Sequence, residues 1–210
     1  MTDELVVYTN PASRGRIVRW MLEEVGQPYR TEIIEYGPPM KGPAYRAINP
    51  MGKVPALRHG AAAVTECAAI CAYLADAFPR AGLAPPPDDQ LRGPYYRWLF
   101  FAAGPLEAAS SNSALGFVVP EERERMIGYG TYADVLNTLE RALEKPGYLL
   151  GERFSAADVY LGSQIGFSMQ FGILEKRPAF EAYWERISAH PAAVRARAID
   201  DELTPLPKPG

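Results

Sequence analysis

The sequence has few cysteines and few histidines, and this scarcity narrows the kinds of site that it can build. Cys67 and Cys71, with His59 and His190, are all that occur in 210 residues. A disulfide framework needs more cysteines than this, and a structural zinc site needs a set of Cys or His ligands close in sequence. Cys67 and Cys71 are spaced i, i+4, which puts both on one face of a helix. We therefore expect no metal site and a reducing compartment, the cytoplasm.

Long apolar runs and an excess of basic charge are also absent. No stretch approaches the ~18 apolar residues of a membrane-spanning helix, and the acidic residues 1–4 differ from the basic start of a signal peptide. Lys and Arg number 22 against 25 Asp and Glu, giving a formal net charge of −3. This charge offers no basic footprint for nucleic acid. We expect no membrane and no nucleic-acid partner, and a small ligand fits better than a polyanion.

The first part of the chain alternates short apolar segments with amphipathic ones. The pattern predicts strands at residues 5–8, 29–35, 54–58 and 62–65, helices at 11–26 and 66–78, and a short irregular helix at 44–48. A βαβ unit followed by a ββα unit makes a mixed four-stranded sheet with helices on its faces. This order predicts an α/β thioredoxin-like fold.

A proline-rich segment separates this unit from the rest of the chain. Residues 79–89 contain four prolines, one glycine and two aspartates, a composition typical of a stiff linker. Helical periodicity follows at residues 90–106, 121–144, 155–171 and 179–190, and three prolines in residues 204–210 predict an extended or disordered tail. We therefore expect a thioredoxin-like domain at 1–79, a linker at 80–89 and an all-helical bundle at 90–210.

Ser155 and Asp158 form an S-x-x-D pattern ahead of an apolar run, which predicts a capping box at the start of a helix. Such a cap stabilises a helix by about 0.5 to 2 kcal/mol. Neither histidine accompanies a nucleophile in a recognisable triad motif. The Ser/Asp pair is therefore expected to be structural and not part of a hydrolase site.

Four segments, taken together, resemble the soluble glutathione transferase superfamily, in particular its bacterial members. They are residues 8–16 (YTNPASRGR), 49–57 (NPMGKVPAL), 65–70 (TECAAI) and 151–158 (GERFSAAD). The resemblance covers essentially the whole chain. It implies a first domain that binds glutathione as a co-substrate, a helical domain that holds an electrophile, and a homodimer with two-fold symmetry.

Two of these segments imply contacts with glutathione. Val54-Pro55 ends a loop and opens a strand, and the resemblance implies a cis bond there, so that the Val54 backbone pairs with the cysteinyl part of the tripeptide. Glu66-Cys67 opens a helix, whose N–H groups favour a carboxylate, while the Glu66 side chain can accept the ammonium of the same γ-glutamyl group. Cys67 stands where the family usually has serine, and a thiol is a weaker hydrogen-bond donor than the serine hydroxyl.

Four further residues are assigned by the resemblance. Lys41 and Lys53 are implied to lie near the glycyl carboxylate, although a lysine on a loop is ordinarily solvated. Phe101 and Gly104 are implied to wall the electrophile pocket, although the aromatic run at residues 95–101 is also what core packing would require.

Glutathione must be ionised to act as a nucleophile, and the start of the first helix holds the candidate donors. Lowering a thiol pKa from about 8.5 by about 1.5 units requires roughly 2 kcal/mol, more than the 0.3 to 1 that a helix N-terminus typically contributes. A side-chain donor is therefore needed. Counting from Tyr8 puts Ser13 at the position of a catalytic serine or cysteine in some bacterial members, whereas matching Arg14-Gly15-Arg16 puts Asn10 there. We favour Ser13 over Asn10, with Tyr8 third.

The expected activity is conjugation of the glutathione thiolate to small apolar electrophiles, a detoxifying reaction. One alternative is a glutathione-dependent thiol reductase or peroxidase. This fold generally uses a cysteine at the start of the first helix for such chemistry, where this chain has residues 10–13 (NPAS). The other alternative is a non-catalytic member that binds ligands or proteins, because a fold does not determine a function.

Overall fold

The computed structural model describes residues 4–203 of the chain. Their contacts form two compact units, of which the first contains residues 4–83 and 189–203 and the second contains residues 84–188. The expected tail at residues 204–210 lies outside the described residues. Within residues 4–203, no helix is both long enough and apolar enough to cross a membrane.

The described chain contains four strands and ten α-helices. They are β1 (Leu5–Thr9), α1 (Gly15–Val25), β2 (Arg30–Ile33), α2 (Pro38–Lys41), α3 (Pro43–Arg46), β3 (Ala56–His59), β4 (Ala62–Thr65), α4 (Cys67–Ala77), α5 (Arg92–Phe101), α6 (Glu107–Ala114), α7 (Tyr132–Leu143), α8 (Ala156–Gln170), α9 (Pro178–Ser188) and α10 (Pro191–Leu203). Two 3₁₀ turns, Pro79–Ala81 and Glu121–Met126, and a π-helical segment, Ala102–Leu106, complete them.

The first unit is built on the predicted mixed sheet, with strand order β2-β1-β3-β4. β1 is parallel to β2 and antiparallel to β3, and β3 is antiparallel to β4. All five residues of β1 are buried, and α1 buries Ile17, Val18, Met21 and Leu22 at helical spacing. The thioredoxin-like α/β fold expected from the alternating pattern is confirmed.

Gly15 explains how closely α1 approaches β1. A Cβ atom at this position would overlap the Thr9 hydroxyl, and it would also come within 3.0 Å of the Ser13 hydroxyl. Only glycine can bring the helix this close to the end of the strand. The start of α1 is therefore fixed directly over the carboxyl end of β1.

The last helix, α10, was not predicted, and its contacts place it in the first unit and not in the helical one. It buries Ala192, Ala193 and Ala196 and contacts α1 along much of its length. Small buried alanines among charged residues give a weak apolar period, which is why the sequence pattern missed this helix. The division expected at 90–210 is thus corrected: residues 189–203 pack with the thioredoxin-like unit.

Helices are the main elements of the second unit, as expected, beside two isolated β-bridges within residues 148–153, but two of the predicted helices have different bounds. The helix expected at 90–106 continues through the π-helical segment, which contains Pro105, into α6. The helix expected at 121–144 begins at Tyr132, because Gly128 and Gly130 precede it and Thr131 caps it by accepting from the Asp134 N–H. α8 lies at the centre of the unit and buries most of its residues.

Candidate functional site

The sheet register brings three of the predicted segments to one end of the sheet. Tyr8 on β1 pairs with Ala56 on β3, and Ala56 pairs with Thr65 on β4. The turn after β1, the loop before β3 and the start of the helix after β4 therefore all lie at the same sheet edge. Ser13, Val54 and Glu66 come from these three segments, so the register collects residues far apart in sequence.

Asn10 holds the turn between β1 and α1. Its side-chain Oδ1 accepts from the Ala12 N–H at 3.0 Å, and its Nδ2 donates to the Ile34 carbonyl at 3.1 Å. The residue is 6% exposed. Both ends of the amide are thus engaged in shaping the turn and joining it to the segment after β2, so Asn10 could reach a ligand only by releasing these contacts.

Ser13 is half-buried on the same turn, and its hydroxyl is placed differently. The Oγ donates to the Asn10 carbonyl at 2.6 Å and accepts from the Gly15 N–H at 2.9 Å. The Asn10 carbonyl also accepts from the Ser13 N–H at 3.0 Å. If the hydroxyl turned toward a ligand, that carbonyl would keep one donor, so reorienting Ser13 disturbs the turn less than reorienting Asn10.

Tyr8 belongs to a small apolar cluster below the sheet end. Its ring centroid lies 6.1 Å from that of Tyr45, and both rings pack with Val6, Met40 and Ala56. Tyr8 is 8% exposed. Its position is that of a core residue supporting the loop before β3.

The Val54–Pro55 peptide bond is cis, as the resemblance implies. Among residues 4–203, the Val54 N–H and C=O have no hydrogen-bond partner, although the next residue but one, Ala56, already pairs within the sheet. An extended ligand could use these backbone groups as an added strand would.

Side chains that the sequence did not single out hold this loop. Tyr45 and Asn49 both donate to the Lys53 carbonyl, each at 2.7 Å. Burial raises the pKa of Tyr45 to about 12, so its hydroxyl stays protonated as a donor. Lys41 donates to the Gly52 and Met51 carbonyls at 2.6 and 3.2 Å. Tyr45 was recognisable only as an aromatic residue, and Asn49 only as the residue before a proline.

The two predicted lysines are therefore in different situations. The Lys41 ammonium is bound to the carbonyls of residues 51 and 52, whereas Lys53 is exposed and has no ion-pair partner within residues 4–203. Lys41 supports the loop beside the Val54 backbone. Lys53 offers an uncommitted positive charge on the same loop.

Glu66 has an unusual backbone conformation, with φ 68° and ψ 121°. It is the one non-glycine residue with positive φ in the described part of the chain. Such a conformation costs about 1 to 3 kcal/mol and is often found where a ligand is bound. The Glu66 side chain is exposed and caps no N–H of α4. No motif in the sequence indicates this strain.

Cys67 and Cys71 lie on one side of α4, as their spacing predicts. Cys67 is 8% exposed, and its Sγ donates to the Arg14 carbonyl at 3.7 Å, which ties the start of α4 to the start of α1. Cys71 is fully buried, and burial raises the pKa of its thiol well above the ordinary value. A protonated buried thiol is a poor nucleophile. Both cysteines are free, and in residues 4–203 no His, Cys, Asp and Glu side chains cluster as metal ligands do.

Phe101 and Gly104 belong to the second unit. Phe101 is the last residue of α5, half-buried, with its ring edge-on to Trp98 at 5.5 Å. Gly104 is exposed within the π-helical segment, and nothing lies within 4 Å of where its Cβ would be. Short π-helical segments often occur at functional sites. The aromatic run is mostly core, since Tyr95, Trp98 and Leu99 are buried.

Comparison with known proteins shows the family to which the chain belongs. Residues 13–77 match the N-terminal domain of glutathione S-transferases, and residues 99–191 match their C-terminal domain. The chain is 30% identical over 213 residues to maleylacetoacetate isomerase from Pseudomonas aeruginosa, covering 96% of this chain and 99% of that protein. This chain belongs to the glutathione S-transferase family. It is also 30% identical over 210 residues to glutathione S-transferase F10 from Arabidopsis thaliana, covering 86% and 90% of the two chains.

Solved structures of the family share the fold. A glutathione transferase from Methylococcus capsulatus matches with a TM-score of 0.75 and 28% identity, covering 94% of this chain and 99% of that one. A glutathione transferase homologue from Sulfitobacter with bound glutathione matches with a TM-score of 0.74 and 25% identity, covering 95% and 98%. This glutathione S-transferase fold supports glutathione binding and a glutathione-dependent activity.

Proposed function

We propose that the protein conjugates the glutathione thiolate to small apolar electrophiles. The observation that carries the proposal is the meeting, at one end of the sheet, of the Ser13 turn, the unpaired backbone of Val54 and the strained Glu66. Each of the three matches one part of a γ-glutamyl-cysteinyl peptide: its thiol, its backbone and its amino-acid head.

Glutathione would be held along its length by these groups. The start of α4 at Cys67 receives the α-carboxylate, and the Glu66 carboxylate receives the ammonium. The Val54 N–H and C=O pair with the cysteinyl backbone. Lys53 attracts the glycyl carboxylate, while Lys41 holds the loop in place.

The chemical step needs a thiolate next to the start of α1. The Ser13 hydroxyl turns from the Asn10 carbonyl and donates to the sulfur, and the thiol proton leaves to solvent. The sulfur then bonds to the electrophilic carbon, and either a leaving group departs with its electron pair or the adduct takes up a proton. Phe101 and Gly104 contact the apolar part of the electrophile.

Isomerisation is the second candidate, because of the 30% identity to maleylacetoacetate isomerase over 96% of this chain. A thiolate that adds to an activated double bond, and is eliminated after rotation about the resulting single bond, returns glutathione unchanged. Both reactions begin with attack by the thiolate at the same site, and they differ in whether glutathione remains attached to the product. A substrate panel containing maleylacetoacetate and a halogenated dinitrobenzene separates them, since only the second consumes glutathione.

The remaining features of the proposal follow the family. We propose that the protein works as a homodimer in the cytoplasm and needs no metal. Light scattering at micromolar concentration should give twice the mass of the 23.1 kDa chain. A monomer at that concentration would contradict the dimer.

Binding and catalysis test the proposal together. Calorimetry should show glutathione binding to the purified protein, and the conjugation rate with the dinitrobenzene should depend on glutathione. Glu66→Ala should weaken glutathione binding, whereas Glu181→Ala, which removes an exposed acid of α9, should not. Binding without turnover on any electrophile, peroxide or disulfide would favour a non-catalytic member, and absence of binding would refute the proposal.

A further inference from the structure

Two neighbouring aspartates at the end of α10 pair with two arginines of α1. Asp200 Oδ1 lies 2.8 Å from Arg19 Nε, and both side chains are almost fully buried. Asp201 Oδ1 lies 2.6 Å from Arg16 Nη1, with Arg16 buried and Asp201 44% exposed. The first pair lies in the interface between the helices, and the second reaches toward the start of α1.

Arg16 makes a second contact that connects α10 to the turn. Its Nε donates to the Pro11 carbonyl at 2.5 Å, and this hydrogen bond is buried. Pro11 lies between Asn10 and Ser13, the two residues considered for thiol activation. One guanidinium therefore binds the turn on one side and the last helix on the other.

The geometry of arginine makes these two contacts interdependent. The guanidinium is planar, so fixing Nη1 also fixes the plane in which Nε points. A carboxylate on Nη1 thus limits where the Pro11 carbonyl can lie. Since the Ser13 hydroxyl bonds to the carbonyl of the residue before Pro11, its position depends on the same turn.

We propose that Asp201 is a positioning residue for thiol activation: through Arg16 it fixes the turn that carries Ser13. The inference rests on the proposed function and extends it to a helix that lies 185 residues away from Arg16 in sequence. The last helix is then part of the apparatus that ionises glutathione, although it need not touch the tripeptide.

A matched pair of variants tests this. Asp201→Ala removes the pair that leads to the turn. Arg195→Ala removes another exposed pair between the same helices, in which Arg195 Nε lies 3.1 Å from Glu23 Oε2. The readouts are the thiolate absorbance of bound glutathione against pH, kcat and KM for glutathione, and the melting temperature.

We expect Asp201→Ala to raise the apparent pKa of the bound thiol by about half a unit and to lower kcat below that pKa by about threefold. KM for glutathione should change less than about twofold, because the binding groups are elsewhere. Asp201→Glu keeps a carboxylate for Arg16, so the pKa of the bound thiol should return most of the way to its value in the unmodified protein. Arg195→Ala should leave both the pKa and kcat unchanged, while melting at a temperature similar to that of Asp201→Ala.

Each other outcome overturns the inference. An unchanged pKa in Asp201→Ala means that the turn does not depend on α10, and a lowered pKa means that Asp201 acts only as a negative charge near the sulfur. Equal pKa changes in both variants mean that α10 has loosened as a whole. If the unmodified protein neither binds glutathione nor depresses its thiol pKa, the proposed function fails, which is a separate result.

Discussion

Two carboxylates stand at the start of helices in this protein, Asp158 at α8 and Glu66 at α4, and their surroundings are opposite. Asp158 is fully buried, and it accepts from the Leu149 N–H, the Ser155 N–H and hydroxyl, and the Tyr183 hydroxyl, all at 2.8 to 2.9 Å. Glu66 is exposed, has a strained backbone and caps nothing. An acidic residue near the start of a helix is structural in one case, at N3 of α8, and open to a ligand in the other, at the N-cap of α4.

The hydrogen-bond partners of each carboxylate distinguish the two roles. Four hydrogen bonds from protein donors occupy all of the acceptor capacity of the Asp158 carboxylate. Burial raises the pKa of this carboxyl, while the hydrogen bonds from Leu149, Tyr183 and Ser155 oppose that effect. A carboxylate whose lone pairs are all hydrogen-bonded cannot accept further hydrogen bonds from a substrate. By contrast, the Glu66 carboxylate is exposed and caps no N–H of α4, and its backbone has a positive φ of the kind often found at ligand-binding positions.

Asp158→Ala should lower the free energy of unfolding more than any of the other substitutions proposed for this protein. A capping box alone contributes about 0.5 to 2 kcal/mol, but this substitution also leaves the Leu149 N–H and the buried Tyr183 hydroxyl without an acceptor, so we expect about 3 to 5 kcal/mol. Chemical denaturation followed by far-ultraviolet circular dichroism measures it. Asp134→Ala, at the exposed cap of α7, should cost only about 0.5 to 1 kcal/mol. Equal losses would show that burial of the box does not matter.

Glu66 variants should show the reverse pattern, with binding lost and stability kept. Glu66→Ala should weaken glutathione binding at least about tenfold, or 1.4 kcal/mol, because the ammonium loses its partner. Glu66→Gly should bind equally weakly but be more stable than Glu66→Ala by about 1 kcal/mol, since glycine accepts the positive φ at little cost. Calorimetric titration and melting give the two quantities. If Glu66→Ala bound glutathione normally, the exposed Glu66 carboxylate would have no role in recognising it.

Tyr183→Phe tests how much the hydrogen bond from the Tyr183 hydroxyl to Asp158 contributes to stability. The lost hydrogen bond to Asp158 should cost about 1 to 2 kcal/mol at neutral pH. Burial, together with the Asp158 charge, raises the pKa of Tyr183 well above its ordinary value. Stability from a raised pKa is present below the unfolded value of about 10 and is lost as pH rises beyond it. The gap between the two proteins should therefore narrow above pH ~10, and a constant gap in alkaline melting curves would contradict this assignment.

Ser13→Ala should have only a small effect, and on the ionisation of bound glutathione. Ser13→Ala should raise the apparent pKa of bound glutathione by about half a unit, because the sulfur loses a donor. Asn10→Ala should instead lower stability, since Asn10 joins the turn to the Ile34 carbonyl. Thiolate absorbance against pH, with thermal melting, separates the two roles. A pKa change in Asn10→Ala alone would reverse the assignment.

Sequence patterns predicted the sheet and most helices because apolar periodicity records burial directly. They predicted the capping box of Ser155 and Asp158, which forms as expected, because its residues are local. They also predicted, through the family resemblance, the cis bond at Val54–Pro55. The sequence signal for each of these features lies within a short stretch of the chain.

The features that could not be predicted leave no periodic or motif signal in the sequence. Glu66 has a positive φ between β4 and α4, and the hydrogen bonds of Tyr45 and Asn49 to the Lys53 carbonyl exist only once the loop has folded, although these residues are close in sequence. α10 escaped notice because charge pairs, such as Asp200 with Arg19, replace part of its apolar face. No local pattern in the sequence records a partner at such a distance.

The membership of α10 in the first unit has a consequence for the order of synthesis. A ribosome delivers β1 through α4 first, and these elements contain every strand of the sheet. Until residue 200 emerges, Arg19 lacks Asp200, and the face of α1 that α10 covers is open to water. The first unit then lacks the apolar burial and the ion pair that α10 supplies, which lowers its stability. The unit that is made first is thus the last to be completed, and a nascent chain stopped before α10 should be readily cut by proteases.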